Sequence, residues 1–531
     1  MMIPNLRRKF VLAALFLWVL TIFLSVQVSI YFAGLFVLWL PLTIMGIQDM
    51  LQKKHAIRIN YPLLGRLRYV FESLRPAIQQ YFVEDDLNGK PFSRRMRSLV
   101  YQRAKKVNET VPFGTQVDVY EEGYEWMVHS AYPLDASKMD RHPRVKVGGK
   151  NCTQPYDLSL FNVSAMSYGS LSANAIKALN KGAAKGGFAH NTGEGGVSPH
   201  HEQGGDLIWQ LGTGYFGARA EDGSFDPEKY KVTVSKPSIK MVELKLSQGA
   251  KPGKGGILPA IKNTKEIASI RGVEPHQAVL SPAFHQAFHD PKTLLEFIHQ
   301  LRELSGGKPV GFKLCIGSEK EFYDLCKMMR ETQILPDFIT IDGGEGGTGA
   351  APVEFSDSLG MPMKDGLSFA IDALRGFDLK KDIVVLAAGR MTSAFDLVKA
   401  LALGADACYS ARAMMMALGC IQALECHSNQ CPTGVATQDP TLMKGLVVPD
   451  KAERVYNFHK KTLYSFVDML AAAGIKEPNQ VKRQHVFERT AVGTVQRYDQ
   501  LYPIIPIGCC LNTDKIPEAF KKEMLMWLEE E

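Results

Sequence analysis

The sequence predicts an α/β protein: a closed (β/α)8 TIM barrel with an N-terminal transmembrane helical hairpin and a helical C-terminal extension. Three observations carry this expectation. Between residues 160 and 410, short apolar runs rich in β-branched residues alternate with segments of helical periodicity. Polar, glycine-rich stretches follow those runs. At the N-terminus, residues 10–48 contain no Asp, Glu, Lys or Arg.

Eight runs read as strands: 160–165, 187–190, 238–244, 278–281, 309–315, 337–342, 383–389 and 406–410. Helical patterns at 172–185, 291–304 and 392–403 fall between them. Strands alternating with helices require a parallel sheet, and eight of them favour closure into a barrel. A doubly wound open sheet is the alternative.

A single helix over residues 10–48, at ~1.5 Å per residue, would be about twice the ~30 Å thickness of bilayer hydrocarbon. Ser25-Val-Gln-Val-Ser29 interrupts the apolar run near its middle, so two spans, 10–24 and 30–47, are expected, with one long tilted helix as the alternative. The apolar region is too long for a cleaved signal peptide and ends in no small-residue cleavage pattern. Arg7, Arg8 and Lys9 precede it, and Lys53, Lys54 and Arg58 follow. Basic residues at both ends predict an inner (cytoplasmic) membrane protein with both ends of the hairpin, and the catalytic domain, on the cytoplasmic side. The expected organisation is hairpin 1–50, an aromatic and basic connector 51–150, barrel 151–450, and a helical extension 451–531. Within the extension, 454–473 is apolar at helical spacing and 520–531 is amphipathic.

The 531 residues are 46% hydrophobic and 22% charged, with a net charge of +7, which is ordinary for a globular enzyme. No basic stripe is interleaved with aromatics, so nucleic acid is not an expected partner. Nine cysteines, three of them in one short run, do not form a secreted disulfide framework. The adjacent Cys509 and Cys510 are too close in sequence for a normal structural disulfide.

Active sites of barrels lie just after the strands, and the chemistry-bearing residues fall there. Ala165, Met166 and Ser167 follow the first run, and Asn191 and Thr192 lead Gly193-Glu194-Gly195 after the second. Gln248-Gly-Ala-Lys251 comes after the third, and Asp342, Gly343 and Gly344 after the sixth. Phosphate sites recur after strands seven and eight, where Gly389-Arg390 and Ser410-Ala411-Arg412 stand here. Lys313, inside the fifth run, suits a cation beside a flavin ring, where positive charge stabilises the reduced anion; a lysine snorkelling to solvent is the bland reading. Cys420, Cys426 and Cys431, with Pro432 after the last, suit a three-iron cluster, a Cys3His zinc site with His427, or buried small hydrophobes, and spacing alone leaves these three readings open.

Residues from about 150 to 450 resemble the FMN-binding synthase domain of glutamate synthase. The likeness rests on Ala165-Met-Ser-Tyr-Gly-Ser170, Asn191-Thr-Gly-Glu-Gly-Gly196, Gln248-Gly-Ala-Lys-Pro-Gly253, the turn Gly346-Gly-Thr-Gly-Ala350, and Cys426-His-x-Asn-x-Cys431-Pro-x-Gly-Val-Ala-Thr-Gln438. The resemblance implies FMN seated by the loops after strands one, two, seven and eight, with Lys313 near its ring. It also implies a [3Fe-4S] cluster on Cys420, Cys426 and Cys431. It further implies reductive formation of L-glutamate from 2-oxoglutarate and ammonia, with Glu194, Gln248, Lys251 and Arg271 at the 2-oxoglutarate positions. A cationic pair, Lys251 and Arg271, is also what a dicarboxylate requires.

The sequence departs from the family at two loops. Gly255-Gly256-Ile257-Leu258-Pro259 has an apolar side chain where the family carries glutamine, and Ala387-Ala-Gly-Arg390 lacks the acidic residue before the glycine. The chain starts Met-Met-Ile without a nucleophilic cysteine, and it contains no Gly-x-Gly-x-x-Gly unit in βαβ context. Ammonia and electrons are therefore expected from elsewhere, the electrons from a separate donor protein. The alternative function keeps the cofactors but acts on another substrate or passes electrons to the membrane; a zinc-stabilised, non-catalytic tethered barrel is the third reading.

Overall fold

The computed structural model describes residues 5–107, 110–518 and 521. The chain forms two compact units, residues 1–94 and 95–531.

In the first unit, helix Leu6–Gln27 turns at Val28-Ser29 into a 3-10 segment, Ile30–Leu35, and a second helix, Phe36–Leu51. The Trp18 indole N–H donates to Thr43 Oγ1 at 3.0 Å, and the Trp18 ring meets Phe36 at 5.1 Å, which pairs the two helices as a hairpin. Both arms, Leu6–Gln27 and Ile30–Leu51, are long and apolar enough to cross a membrane. Side chains such as Phe16, Val19, Val26 and Val37 are exposed along them.

The second unit is built on eight parallel strands that close into a barrel: β1 (Phe161–Val163), β2 (His190–Asn191), β3 (Leu207–Leu211), β4 (Ile239–Lys245), β5 (Val310–Leu314), β6 (Phe338–Asp342), β7 (Val384–Ala388) and β8 (Ala407–Ser410). The open-sheet alternative is excluded by the pairing of β8 with β1. One expected strand was misplaced. Val279–Leu280 pairs antiparallel with Ile257–Leu258 outside the barrel, and its place is taken by Leu207–Leu211, all five residues of which are buried. A run of two to five apolar residues satisfies either pairing, and only the partner strand decides between them.

The antiparallel pair Arg144–Val147 and Tyr156–Ser159 precedes β1, and its Val147 and Leu158 join Ile208, Met241, Phe338 and Leu386 in one buried cluster. Asp337, at the start of β6, accepts the Gly149 N–H at 2.8 Å and the Arg302 guanidinium at 2.9 Å. These contacts place this antiparallel pair at the N-terminal end of the barrel and leave the C-terminal end for chemistry.

Helix Ala173–Gly186 starts at Ser172, whose hydroxyl accepts the Ala175 N–H, and ends at Gly187 in the left-handed region. It packs on the long helix Val448–Ala472 at Gly182, where a Cβ would come within 2.8 Å of Val455. The C-terminal extension is mainly helical in this first part, with only short helical turns such as Tyr498–Leu501 later among the described residues. Beyond the long helix, Val486–Ala491 and Thr494–Arg497 form a sheet with Glu125–Met127. Alternating Val, Thr and Arg side chains around the Val492-Gly493 turn favour that hairpin over a helix. Of the expected amphipathic helix over 520–531, all but residue 521 lies outside the described residues.

Glu125 fastens this sheet to the barrel helices Met363–Gly376 and Ala394–Leu403. Its carboxylate meets Lys364 and Lys399 at 2.9 Å each and accepts the Tyr498 hydroxyl. Burial alone would raise its pKa, but Lys399, Lys364 and Tyr498 hold it down at about 2. A carboxylate depressed in the folded state stabilises the fold above its unfolded pKa and loses that contribution as pH falls toward the folded value. Glu125→Gln is expected to remove about 3 kcal/mol at neutral pH. It should also flatten the loss of stability on acidification, as urea melts of variant and parent at neutral and acid pH would show.

Candidate active site

The loops at the C-terminal ends of the strands are pressed against one another, and glycines permit it. Gly193, after β2, has φ 64°, and a Cβ there would lie 2.6 Å from the Ser167 nitrogen and 2.8 Å from the Met166 carbonyl carbon. Gly249, after β4, would place a Cβ 1.7 Å from the Gly343 oxygen after β6. The loops after β1 and β2, and those after β4 and β6, are thereby joined. Asn191 supports the second loop by accepting the Gly193 N–H at 3.0 Å, and Thr192 Oγ1 accepts the Gln210 N–H at 3.1 Å.

Beneath them lies a carboxylate that the sequence reading did not single out. Glu243 on β4 is fully buried, and it accepts Asn191 Nδ2, Gln210 Nε2 and Thr340 Oγ1, each at 2.7 Å. Lys313 on β5 stands over this network, 5% exposed, with its ammonium 3.1 Å from Asp342 Oδ2. Burial disfavours the ammonium, but Asp342, Glu243 and Glu194 outweigh it and hold Lys313 above its ordinary pKa. Lys313 is a buried cation paired with Asp342, not a side chain snorkelling to solvent.

Around the rim, Ser410 Oγ donates to the Met391 oxygen at 2.7 Å, and Arg412 Nη2 donates to the Glu345 carbonyl. Arg412 is pushed down to about 10, chiefly by burial and next by the like charge of Arg390, while Asp342 and Glu345 oppose the shift. Gly389 and Arg390 both have positive φ, so the loop after β7 turns sharply here. The exposed Arg390 and the part-buried Arg412, from the loops after β7 and β8, repel one another, an arrangement that an anion such as a phosphate would relieve.

A second cationic cluster lies between the loops after β2 and β4. Glu194 Oε1 meets Lys245 Nζ at 2.5 Å. Burial would raise the Glu194 pKa, but Lys245, Lys251 and Arg271 bring it below the ordinary carboxylate value. Lys251 is 3% exposed, donates to the Ala350 oxygen at 3.1 Å and is lowered to about 8 by burial, with Glu194 opposing. Arg271 donates from Nη2 to the Tyr168 oxygen at 3.0 Å, stacks over Phe216 at 5.1 Å, and keeps a buried Nε without a partner. Gln248 closes the turn beneath, its carbonyl accepting the Lys251 N–H at 3.3 Å. Three cations thus face one carboxylate, leaving capacity for an anionic ligand. Lys245 was the residue missed here. Its signal was in Met241-Val-Glu-Leu-Lys245, where Glu243 and Lys245 alternate on one face of an apolar strand.

Cys420, Cys426 and Cys431 share one loop and influence each other's titration. Cys420 is pushed up to about 11 and Cys426 upward by burial. Cys431 falls below its ordinary value, since the Thr433 hydroxyl and the N–H groups of Thr433, Val435 and Ala436 more than offset its burial. Among the described residues no group of three His, Cys, Asp or Glu side chains is arranged to hold a metal ion, and His427 is exposed. The loop is tied to the β1 loop by Lys262, which is 1% exposed and donates to the oxygens of Ser170 at 2.9 Å and Cys426 at 2.8 Å. Gln438 adds bonds to the Gly169 and Leu171 oxygens, and Tyr101 donates to the Cys420 oxygen at 2.7 Å.

A closed parallel barrel that gathers a buried lysine, two arginines and a three-cation pocket at the C-terminal ends of its strands has the architecture of a barrel enzyme. Residues 102–476 match the conserved region in glutamate synthase, and the chain belongs to that family of oxidoreductases. It is 37% identical over 495 residues to the glutamate synthase large subunit-like protein YerD of Bacillus subtilis (strain 168), covering 86% of this chain and 94% of that protein. It is also 36% identical over 314 residues to the archaeal glutamate synthase (NADPH) of Archaeoglobus fulgidus, covering 59% of this chain and 58% of that enzyme. This chain thus spans less than two thirds of the archaeal enzyme. Among solved structures, a mandelate oxidase variant with a monooxide FMN adduct aligns at 13% identity and a TM-score of 0.40, over 80% of this chain and 99% of that one. A likeness of that extent bears on no point of chemistry.

Proposed function

We propose that the chain is a membrane-anchored, FMN-dependent and iron–sulfur-dependent oxidoreductase of glutamate synthase type, forming L-glutamate from 2-oxoglutarate and ammonia. The observation that carries this reading is the pocket of Lys245, Lys251 and Arg271 around Glu194, whose charge also acts on the buried Lys313. The residues present fit FMN. Arg390 and Arg412 would hold its phosphate, the backbone of Ala165, Met166, Ser167, Asn191 and Thr192 would line its ring, Asp342, Gly343 and Gly344 would border it, and Lys313 would supply positive charge. Cys420, Cys426 and Cys431, three thiols on one loop, would be the ligands of a [3Fe-4S] cluster. When bound, FMN supplies hydride chemistry and the cluster one-electron transfer.

The chain's own residues bind and orient. Arg271 offers a planar donor pair to one carboxylate, and Lys251 a point charge to the other. Glu194, held as a carboxylate by Lys245, keeps both cations aimed at the ligand and orients a neutral nitrogen nucleophile by accepting its N–H. Lys251, lowered to about 8, is a proton donor near neutral pH. Since its charged form binds the dicarboxylate, KM is expected to rise as pH climbs through about 8, while kcat changes less because bound anion retains the proton. A KM profile across that pH in the parent, against Lys251→Arg, whose rise should disappear, checks this.

The two apolar arms, with basic residues before and after them, support a hairpin in the cytoplasmic membrane with the catalytic unit on the cytoplasmic side. Electrons then come from a separate donor protein. A second reading, another acceptor in the same pocket, is favoured by Ile257: its neighbour Gly256 would place a Cβ 2.9 Å from Glu194 Oε1, so an apolar side chain flanks the site where an amide would hydrogen-bond. The test is the visible spectrum of anaerobically purified full-length protein, with flavin, iron, sulfide and zinc quantified, followed by reoxidation with 2-oxoglutarate plus ammonium. Flavin with about three irons per chain and glutamate formation upholds the first reading. Reoxidation only by another acceptor selects the second, and colourless protein containing zinc overturns both.

A further inference from the structure

The chain leaving the hairpin carries an apolar stripe that is exposed among the described residues. Helix Leu64–Ile78 continues into a π-turn, Gln79–Val83. At 100° per residue, Leu64, Leu67, Val70, Phe71, Leu74 and Ile78 occupy an arc of about 120°. All six are exposed, Phe71 at 61%, and the stripe ends on Phe82 at 85%. Arg68, Glu72, Arg75 and Gln79 border one side of it, with Arg68 and Glu72 paired at 2.9 Å.

Among the described residues, the first two turns of this helix are held to the end of the hairpin. Asp49, fully buried in helix Phe36–Leu51, meets Arg58 at 2.5 Å and Arg66 at 2.9 Å and accepts the Leu63 N–H at 3.1 Å. Gly65 crosses the short helix Ala56–Asn60 so closely that a Cβ would lie 2.8 Å from the Ile57 oxygen. His55 meets Tyr69 edge-on at 4.7 Å. The helix direction is thus fixed relative to the hairpin by a buried ion-pair network. Residues 52–83 carry six Lys or Arg against one Glu, a charge balance suited to anionic headgroups.

We propose that helix Leu64–Ile78 and the turn Gln79–Val83 lie along the surface of the membrane that holds the hairpin, with the stripe from Leu64 to Phe82 set into the headgroup and acyl boundary and the basic residues on anionic lipid. This rests on the reading of the hairpin as membrane-inserted. The occupant of the stripe is lipid, because the stripe is continuous with the hairpin through the Asp49 network and its flanks are basic. The helix is a second attachment, and it sets the direction in which the chain leaves the bilayer.

The test installs photoreactive benzoylphenylalanine singly at Leu15, Phe71 and Glu72 of the full chain, reconstituted in bilayers of phosphatidylcholine with phosphatidylglycerol. Adducts are then identified by mass. Lipid adducts are expected at Leu15 and at Phe71, with Glu72 several-fold lower. Adding Leu74→Glu should abolish the Phe71 adduct and leave that at Leu15. Lipid adducts at Leu15 with only protein adducts, or none, at Phe71 would overturn the surface helix while keeping the anchor. Absence of lipid at both positions would overturn the anchor and this proposal together.

Discussion

Lys313→Met is expected to lower turnover by about 100- to 1,000-fold while leaving a folded barrel, the magnitude typical of removing one preorganised charge from a reacting centre. The ammonium is 5% exposed and held charged by Asp342, Glu243 and Glu194. Removing it leaves the Asp342 carboxylate without its cation, although the Gly249 N–H still donates to Oδ2 at 3.2 Å. Breaking one side of a buried pair costs about 3–5 kcal/mol, so the variant should also melt earlier. Lys313→Arg, which keeps the charge, separates the two effects by restoring stability more than turnover. Anaerobic turnover with a reduced artificial donor, flavin content by absorbance, and thermal melts on the same preparations decide the matter. Undiminished turnover with full flavin occupancy would remove Lys313 from the site.

Arg271→Lys is expected to raise KM for the dicarboxylate by about 100-fold, equivalent to ~2.7 kcal/mol, with a much smaller change in kcat. The guanidinium spends one nitrogen on the Tyr168 oxygen and lies over Phe216, while its buried Nε has no partner. A lysine can replace the charge but neither the planar donor pair nor the stacking. Steady-state kinetics with 2-oxoglutarate and ammonium, read as separate kcat and KM values, tests this. An unchanged KM would show that the carboxylate sits elsewhere, and a fall in kcat alone would assign Arg271 to the reacting atoms.

The order of the barrel was legible because its strands are buried on both faces and read as short apolar runs, and because glycine and polar residues cluster after them. The helix expected over 291–304 is observed at Pro291–Leu304 with Asp290 as its cap, and the one expected over 392–403 starts two residues later, at Ala394, where Ser393 caps it. The exchange of Leu207–Leu211 for Val279–Leu280 shows the limit. Both segments have the composition of strands, and which one enters the barrel depends on hydrogen-bond partners far away in the chain.

The same division runs through the site. By itself the sequence determined the barrel, the family, the hairpin arms and the loops that carry Glu194, Lys251, Asp342 and Arg412, because local pattern and motif specify them. Only the tertiary structure decided that Lys245 closes on Glu194, that Glu243 gathers three donors under Lys313, that Lys262 joins the cysteine loop to the β1 loop, and that the C-terminal segment pairs with Glu125–Met127. Each of these is a contact between residues at least 33 positions apart. Burial and ion pairing of that kind arise from chain closure, and no local periodicity records them.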